Sequence, residues 1–434
     1  MIHSATLKNK IIHIRIFLDK ILIYSIPLLV FFIPLSRSLS LKVIDVIIPI
    51  WILSFRYKEF IHIAKTNKIF QAVLLLTIII FLSYLWSSYD ASTHVHRRYS
   101  DISKYFNYYF KYFLFPLILI STKLKKENIP LILNIFLFAM FINELISYGI
   151  VFELWSTPYG TPSDPVPFQS NHITYSAFVG FTILISIYKF FHIKNKNLKI
   201  FYLIFLTTMS INLFMSAGRT GQFSLFITSI LLIIIYFRKD MKSIFLSLFL
   251  LLSIFITAYS YMDTFKKRVD QAVNNVKSIQ NKEQKETSFG TRILAIDTIP
   301  YLMNTNNILF GVGMGDKITY ISKTLSKDYP YKLHNFNHFG ALHSSHVEML
   351  VSNGLVGLAL YLSIFYFLFF IKIKDKFIKY LAMITSIYML CYGMVMDIFY
   401  LKEPMLLFAL FIAVAIVQYT SEQKEFAQNY TNKS

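Results

Sequence analysis

Four histidines fall close together in one polar stretch: His334, His338, His343 and His346. Imidazole titrates near neutrality and can take a proton from a hydroxyl, so the group suits general-base chemistry. It also raises the question of a metal. No cysteine accompanies it, however, and the nearby acidic residues fall at no familiar ligand spacing, so a metal site is disfavoured. Histidines without a role are the plainer reading for His334 and His338. Three arginines supply a second kind of chemistry. Arg219 lies in Ser216-Ala217-Gly218-Arg219-Thr220-Gly221, a very short break between two apolar runs. An arginine at membrane depth is expensive, and its planar fork suits phosphate oxygens. The alternative is an interfacial arginine snorkelling to lipid phosphates. Arg292, in Ser288-Phe289-Gly290-Thr291-Arg292, and Arg268, in Lys266-Lys267-Arg268, are read either as anion ligands or as solvated charges. For Arg268 the residues alone favour the solvated charge.

The elements that must position these groups are membrane spans. The chain has 434 residues, of which 55% are hydrophobic and only 15% charged, with mean hydropathy +0.53. A soluble protein of this size carries nearer a quarter charged residues. About twelve spans of ~20 residues would use nearly all the apolar content. In lipid such runs must be helices, because every backbone amide has to be bonded internally. The expected spans are 20–36, 39–55, 68–87, 104–121, 129–151, 173–190, 199–216, 222–237, 243–261, 346–371, 377–397 and 404–420. The first reads as a retained span, with no small-residue cleavage site after it. The single cysteine, Cys391, excludes an intramolecular disulfide and a cysteine metal site.

A net charge of +20 would point a soluble protein toward nucleic acid. Here the basic residues sit in short loops between apolar runs, which argues against nucleic acid. They concentrate in alternate breaks, at Arg56, Lys58 and Lys65, Lys123, Lys125 and Lys126, Lys194, Lys196 and Lys199, Arg238, Lys239 and Lys242, and Lys372, Lys374 and Lys376. Arg97 and Arg98 are the exception. By the positive-inside rule both termini are cytoplasmic, and the segment from about Met262 to Leu342 is extracytoplasmic. Residues 1–261 would then hold nine spans, 262–345 one large loop, and 346–434 three spans and a cytoplasmic tail. Within the loop, Thr264–Ile279 is polar and compatible with a helix. Thr291–Met303 has apolar residues at roughly helical spacing, as in an amphipathic surface helix. Gly311-Val312-Gly313-Met314-Gly315 reads as a flexible turn. Inside the spans, Lys42 and Asp45 are spaced to pair on one helix face. Glu144 and Asp397 are isolated intramembrane acids, for which pairing or helix packing is the safer reading. No internal repeat is evident.

His343-Ser344, then nine residues, then Gly354-Leu355-Val356-Gly357 resembles the signature of the O-antigen ligase superfamily. Ser288-x-Gly290-x-Arg292, the Gly311–Gly313 turn and Arg219 in its short loop also resemble that family, as does the layout of about twelve spans with one large late loop. The spacing to Gly354 selects His343 over His346 as the family histidine. Two positions depart from the pattern. Ile296 stands where an aromatic residue often follows the loop arginine, and the usual proline before the glycine turn is absent, with Asn306 and Asn307 nearby.

The resemblance implies an all-α polytopic protein of a bacterial inner membrane, with a large periplasmic loop containing short helices. It implies inverting glycosyl transfer from an undecaprenyl-diphosphate-linked glycan donor to lipid A–core oligosaccharide, in lipopolysaccharide biosynthesis. His343 would be the base, Arg219 and Arg292 the diphosphate ligands, and Arg268 a weaker one. Ser344, Gly354, Gly357, Gly311 and Gly313 would support the motif. Two arginines in place of a divalent cation imply no metal and no cofactor, and no nucleotide-binding Gly-rich loop is present. The partners implied are the donor, the acceptor and membrane lipids, not nucleic acid, with oligomeric state open. A polysaccharide polymerase would use the same donor chemistry, and the complete motif favours the ligase. A lipid-linked glycan transporter would call for repeats and midplane polar residues that the sequence does not display.

Overall fold

A computed structural model describes residues 2–54, 57–86, 105–168, 171–280, 292, 296–297, 299–303, 308–314 and 342–431. Among these residues the protein is all-α, with no strand beyond one isolated bridge between Thr161 and Asp164. His334 and His338 lie outside the described residues, as do Ser288, Gly290, Arg97, Arg98 and Gly315.

The first half comprises α1 (Ile2–Leu35), α2 (Arg37–Leu53), α3 (Tyr57–Thr66), α4 (Lys68–Trp86), α5 (Phe115–Lys123) and α6 (Ile129–Val151). Then follow α7 (His172–His192), α8 (Lys196–Met215), α9 (Arg219–Phe237), α10 (Met241–Tyr261) and α11 (Asp263–Gln280). The remainder holds α12 (Ile299–Met303), α13 (Ser345–Phe369), α14 (Lys376–Val395) and α15 (Lys402–Thr431). Ten of the helices are long and apolar enough to cross a membrane. The helices α2 and α3 are bent against each other by 97°. The span expected over 104–121 is helical from Tyr105 to Lys123 but runs through a π turn at Tyr109–Leu114. Residues 57–66, expected as part of a loop, form α3 instead. Its single buried residue is Ile63, with Lys58, Glu59, His62 and Lys65 around it, the pattern of a helix lying along an interface.

Local chemistry fixes the helix ends. Asn171, Asn195, Asp240 and Asp375 each cap a helix N-terminus with a side-chain oxygen that accepts a backbone N–H. Pro130 stands in the first turn of α6, where the missing N–H loses nothing. The core is centred on α15. Every residue from Met405 to Val417 is at most 4% exposed; Phe408 stacks on Phe113 and Phe365, and Phe411 meets Phe136 edge-on and Phe181 at a tilt. By contrast α10 buries little of itself, as an outermost span would. Association here rests on such close packing, since lipid removes the hydrophobic drive between helices.

The bundle has two unlike ends. At one, Lys123 pairs with Asp19, Lys126 with Glu425 (2.8 Å), and Arg15 donates to the carbonyl of Ser54 (3.0 Å). Both termini and the lysine-rich breaks belong to this end. At the other lie His343, Arg219 and Arg292. The expected Lys42–Asp45 pair does not form: Asp45 is paired with Lys111 from the π turn. Spacing along one helix allowed the first partner, but packing against the neighbouring helix supplies the second.

Candidate functional site

The histidine end is built around a broken helix. Within α13, Gly354 has φ +66 and ψ −163, far from helical values. In an unbroken helix the N–H groups of Leu355 and Val356 would reach the carbonyls of Val351 and Ser352. Here those four groups turn to the segment 308–313. Leu355 N–H donates to Ile308 O (2.9 Å) and Val356 N–H to Leu309 O (3.1 Å). Val312 N–H donates to Val351 O (2.9 Å) and Gly313 N–H to Ser352 O (3.0 Å). The inserted segment satisfies the ladder it interrupts, as non-helical backbone at membrane depth requires. The glycines make the insertion possible. A Cβ on Gly354 would lie 2.3 Å from the carbonyl of Leu309, and one on Gly311 (φ +72) 2.6 Å from the backbone N of Asn353. Gly311–Met314 is buried and bonded on both sides rather than a flexible turn. Met314 N–H also reaches Ser83 Oγ on α4 (3.3 Å).

At the N-terminus of α13, Ser344 caps the helix by accepting Val347 N–H (3.5 Å) and donates to Gly393 O (3.3 Å). His343, one residue earlier, is held at φ +54. A non-glycine residue there is uncommon and gathers at functional sites. The buried carboxylate of Glu348 takes Leu342 N–H (3.1 Å) on its other flank. Burial first, and the charge of Arg292 second, push the His343 pKa down to about 4. Its imidazole is therefore neutral at neutral pH.

Arg292 Nε donates to Val395 O (2.8 Å). Val395 and Gly393 belong to the last turn of α14, whose carbonyls have no partner inside the helix. That helix end thus seats Ser344 and Arg292 side by side. Burial, and then the charge of Arg219, lower the Arg292 pKa to about 10. The charge of Arg268 in turn bears on Arg219. His343, Arg292, Arg219 and Arg268 thus form one chain of interacting charges, although they lie as far apart in sequence as 219 and 343. Guanidinium groups that repel one another favour an anion lying between them. Arg268 is half-buried on α11 and donates to Gln271 Oε1 (3.2 Å), which makes it the outermost member.

A family model described as O-Antigen ligase matches residues 204–362. Over this stretch, a little over a third of the chain, the protein is similar to that family. No curated protein matches the chain. The similarity agrees with the ten helices long and apolar enough to cross a membrane among the described residues. The candidate base, the three candidate anion ligands and the motif glycines and serines all lie within the matched segment.

Further groups hold the matched segment in shape, and some of them lie outside it. Asp164 is the foremost. Its Oδ1 accepts Ala217 N–H (2.8 Å), two residues before Arg219, and its Oδ2 meets His172 Nδ1 (3.0 Å). Next to it, Ser163 O accepts the hydroxyl of Thr264 on α11 (3.0 Å), the helix that carries Arg268. The turn at 161–166 therefore tethers both the Arg219 loop and the Arg268 helix. Gln222 closes the Arg219 loop from the other side, donating to Leu213 O (3.0 Å) and Ser216 O (3.1 Å). Gly221 packs so closely on Ser176 that a Cβ there would lie 2.2 Å from its carbonyl oxygen. Asp397 caps the turn Ile398–Tyr400 and accepts the hydroxyl of Ser345 (3.2 Å), which ties it to the start of α13. Among the described residues no group of three or more His, Cys, Asp or Glu side chains could hold a metal ion.

Proposed function

We propose that this protein is an O-antigen ligase, transferring a glycan from an undecaprenyl-diphosphate carrier to a hydroxyl of lipid A–core oligosaccharide. What supports the reading most is His343, half-buried and kept neutral by burial and by the charge of Arg292, which in turn feels that of Arg219. The acceptor hydroxyl gives its proton to the His343 imidazole as its oxygen bonds to the anomeric carbon. The bond from that carbon to the diphosphate breaks in the same displacement, with inversion. Undecaprenyl diphosphate leaves with the bonding electrons. Arg219 and Arg292 hold its oxygens and stabilise the charge that grows on them, the part a divalent cation plays at many diphosphates. Arg268 contributes from the rim. The bound diphosphate also serves the base. Its negative charge offsets the arginines and raises the His343 pKa toward a range where it accepts a proton readily. The lysine-rich end faces the cytoplasm and the histidine end the periplasm, where the lipid-linked donor is exposed.

Complementation tests the reading. A ligase-null Gram-negative strain that makes the matching lipid-linked glycan and a compatible core receives wild type or His343→Ala at equal expression. Wild type restores the ladder of glycan-capped lipopolysaccharide and the variant does not. A well-expressed wild type that yields no ladder, but extends single repeats into polymer, would replace the ligase by a polymerase of the same donor chemistry.

A further inference from the structure

At the opposite end of the bundle, far from His343, lies a cavity of about 390 Å³ between α3, the end of α5 and the last turns of α15. Its polar lining includes Lys58, Glu59, His62, Ser121, Thr420 and Lys424. The neighbouring cations are already matched: Lys123 pairs with Asp19 and Lys126 with Glu425. Lys58 and Lys424 have no ion-pair partner among the described residues. One carboxylate, Glu59, stands against these two ammonium groups and an imidazole.

Two hydroxyls on the lining add a separate observation. Ser121 is 7% exposed, and its Oγ has no hydrogen-bond partner. The Oγ1 of Thr420 is likewise buried and unpartnered. The adjacent Thr122 differs, since it accepts the indole N–H of Trp51 (3.2 Å) and donates to Ile118 O (2.7 Å). Buried hydroxyls left unpaired are unfavourable, so a group that supplies oxygen acceptors there is welcome. Two exposed ammonium groups and two unpartnered hydroxyls on the lining residues match the oxygens of a phosphate ester. Phosphate oxygens accept from both, whereas the cationic end of a choline or ethanolamine headgroup adds a positive charge to a site already rich in it.

We propose that this cavity binds a phosphate ester, with Lys58 and Lys424 at its charged oxygens and Ser121 and Thr420 donating from within. Basic pockets between spans at the lysine-rich side take anionic lipid headgroups, which makes an anionic phospholipid one source and a soluble phosphate compound the other. The site is separate from the proposed donor site and does not rest on the glycosyl-transfer reading.

The test uses the purified full-length protein in neutral detergent, with binding followed by native mass spectrometry and by the shift in thermal unfolding. The probes are short-chain phosphatidylglycerol, short-chain phosphatidylcholine, glycerol phosphate and inorganic phosphate. Phosphatidylglycerol binding that falls about tenfold in Lys58→Gln/Lys424→Gln, but not in Lys196→Gln/Lys199→Gln, supports the site. Ser121→Val leaves the charge unchanged, so a loss of several-fold there places the ligand in the cavity rather than on a basic surface. Equal displacement by glycerol phosphate or inorganic phosphate upholds the phosphate site and assigns it a soluble ligand. Equal binding of phosphatidylcholine, or full affinity retained in both the lysine pair and Ser121→Val, overturns the proposal.

Discussion

His343 is held neutral by the same surroundings that make it useful. Burial and Arg292 place its pKa at about 4, below the ordinary histidine value of about 6.5. The sign follows directly. A base works unprotonated, so activity is lost only as pH falls through the pKa of the relevant state. In the free protein that is about 4, so the acid limb of kcat/KM should lie well below that of an ordinary histidine enzyme. In the donor complex the diphosphate offsets Arg292, so the acid limb of kcat should sit higher. A kcat/KM limb near the ordinary histidine value would contradict the burial argument. Asp164 gives a second residue-scale prediction. It touches neither base nor clamp but holds Ala217 N–H and His172. Asp164→Ala should raise the KM for donor several-fold more than it lowers kcat, because Arg219 loses its register. Asp164→Asn retains an acceptor oxygen and should recover part of the loss. Equal losses in both variants would point to the charge rather than the hydrogen bond.

Arg219 and His343 stood out in the sequence as polar residues beside span boundaries, and Arg292 by its place in a short loop motif. Asp164 did not, because its partner Ala217 lies 53 residues away and nothing local marks it. Pairing along a helix misled for the same reason: Asp45 meets Lys111 across a helix contact rather than Lys42 along its own.

At the scale of elements, the glycine motif describes one object made of two segments. Gly354 breaks α13, and 308–313 enters the break through Gly311 and Gly313. The sequence gives the spacing of Gly354 and Gly357 but not the insertion, since a backbone exchange between distant segments leaves no periodic signal. Gly354→Ala forces a Cβ into the carbonyl of Leu309 at positive φ, and should destabilise the inserted segment by about 2 kcal/mol or more. Activity should fall steeply while total helix content stays constant. Limited proteolysis should then cut near 308–314, a segment that wild type protects. An unchanged cleavage pattern with full activity would show that the insertion does not hold the site.

For the whole molecule, the long spans were read from hydropathy alone, and the structure adds what encloses what. The helix α15 is the buried axis, α10 is an outer wall, and the lysine-rich breaks share one end with both termini. Orientation can be measured directly. Cys391 is the only cysteine and is buried, so Cys391→Ser gives a clean background. In intact cells an impermeant maleimide should label Lys277→Cys on α11 and leave Gln423→Cys near the C-terminus unlabelled until the cells are opened. The reverse pattern would invert the topology and remove the donor from the histidine end.

The central claim is that His343 and the arginines transfer a lipid-linked glycan without another catalyst. The most direct measurement reconstitutes purified wild type and His343→Ala with undecaprenyl-diphosphate-linked O-antigen and lipid A–core, in the presence of a metal chelator. Both the glycan-capped product and the released undecaprenyl diphosphate are followed. The account predicts equimolar formation of the two by wild type, and a rate lower by roughly 10²–10⁴-fold in a folded His343→Ala protein. Product formed at the wild-type rate by His343→Ala, or by wild type only when the chelator is left out, would contradict it.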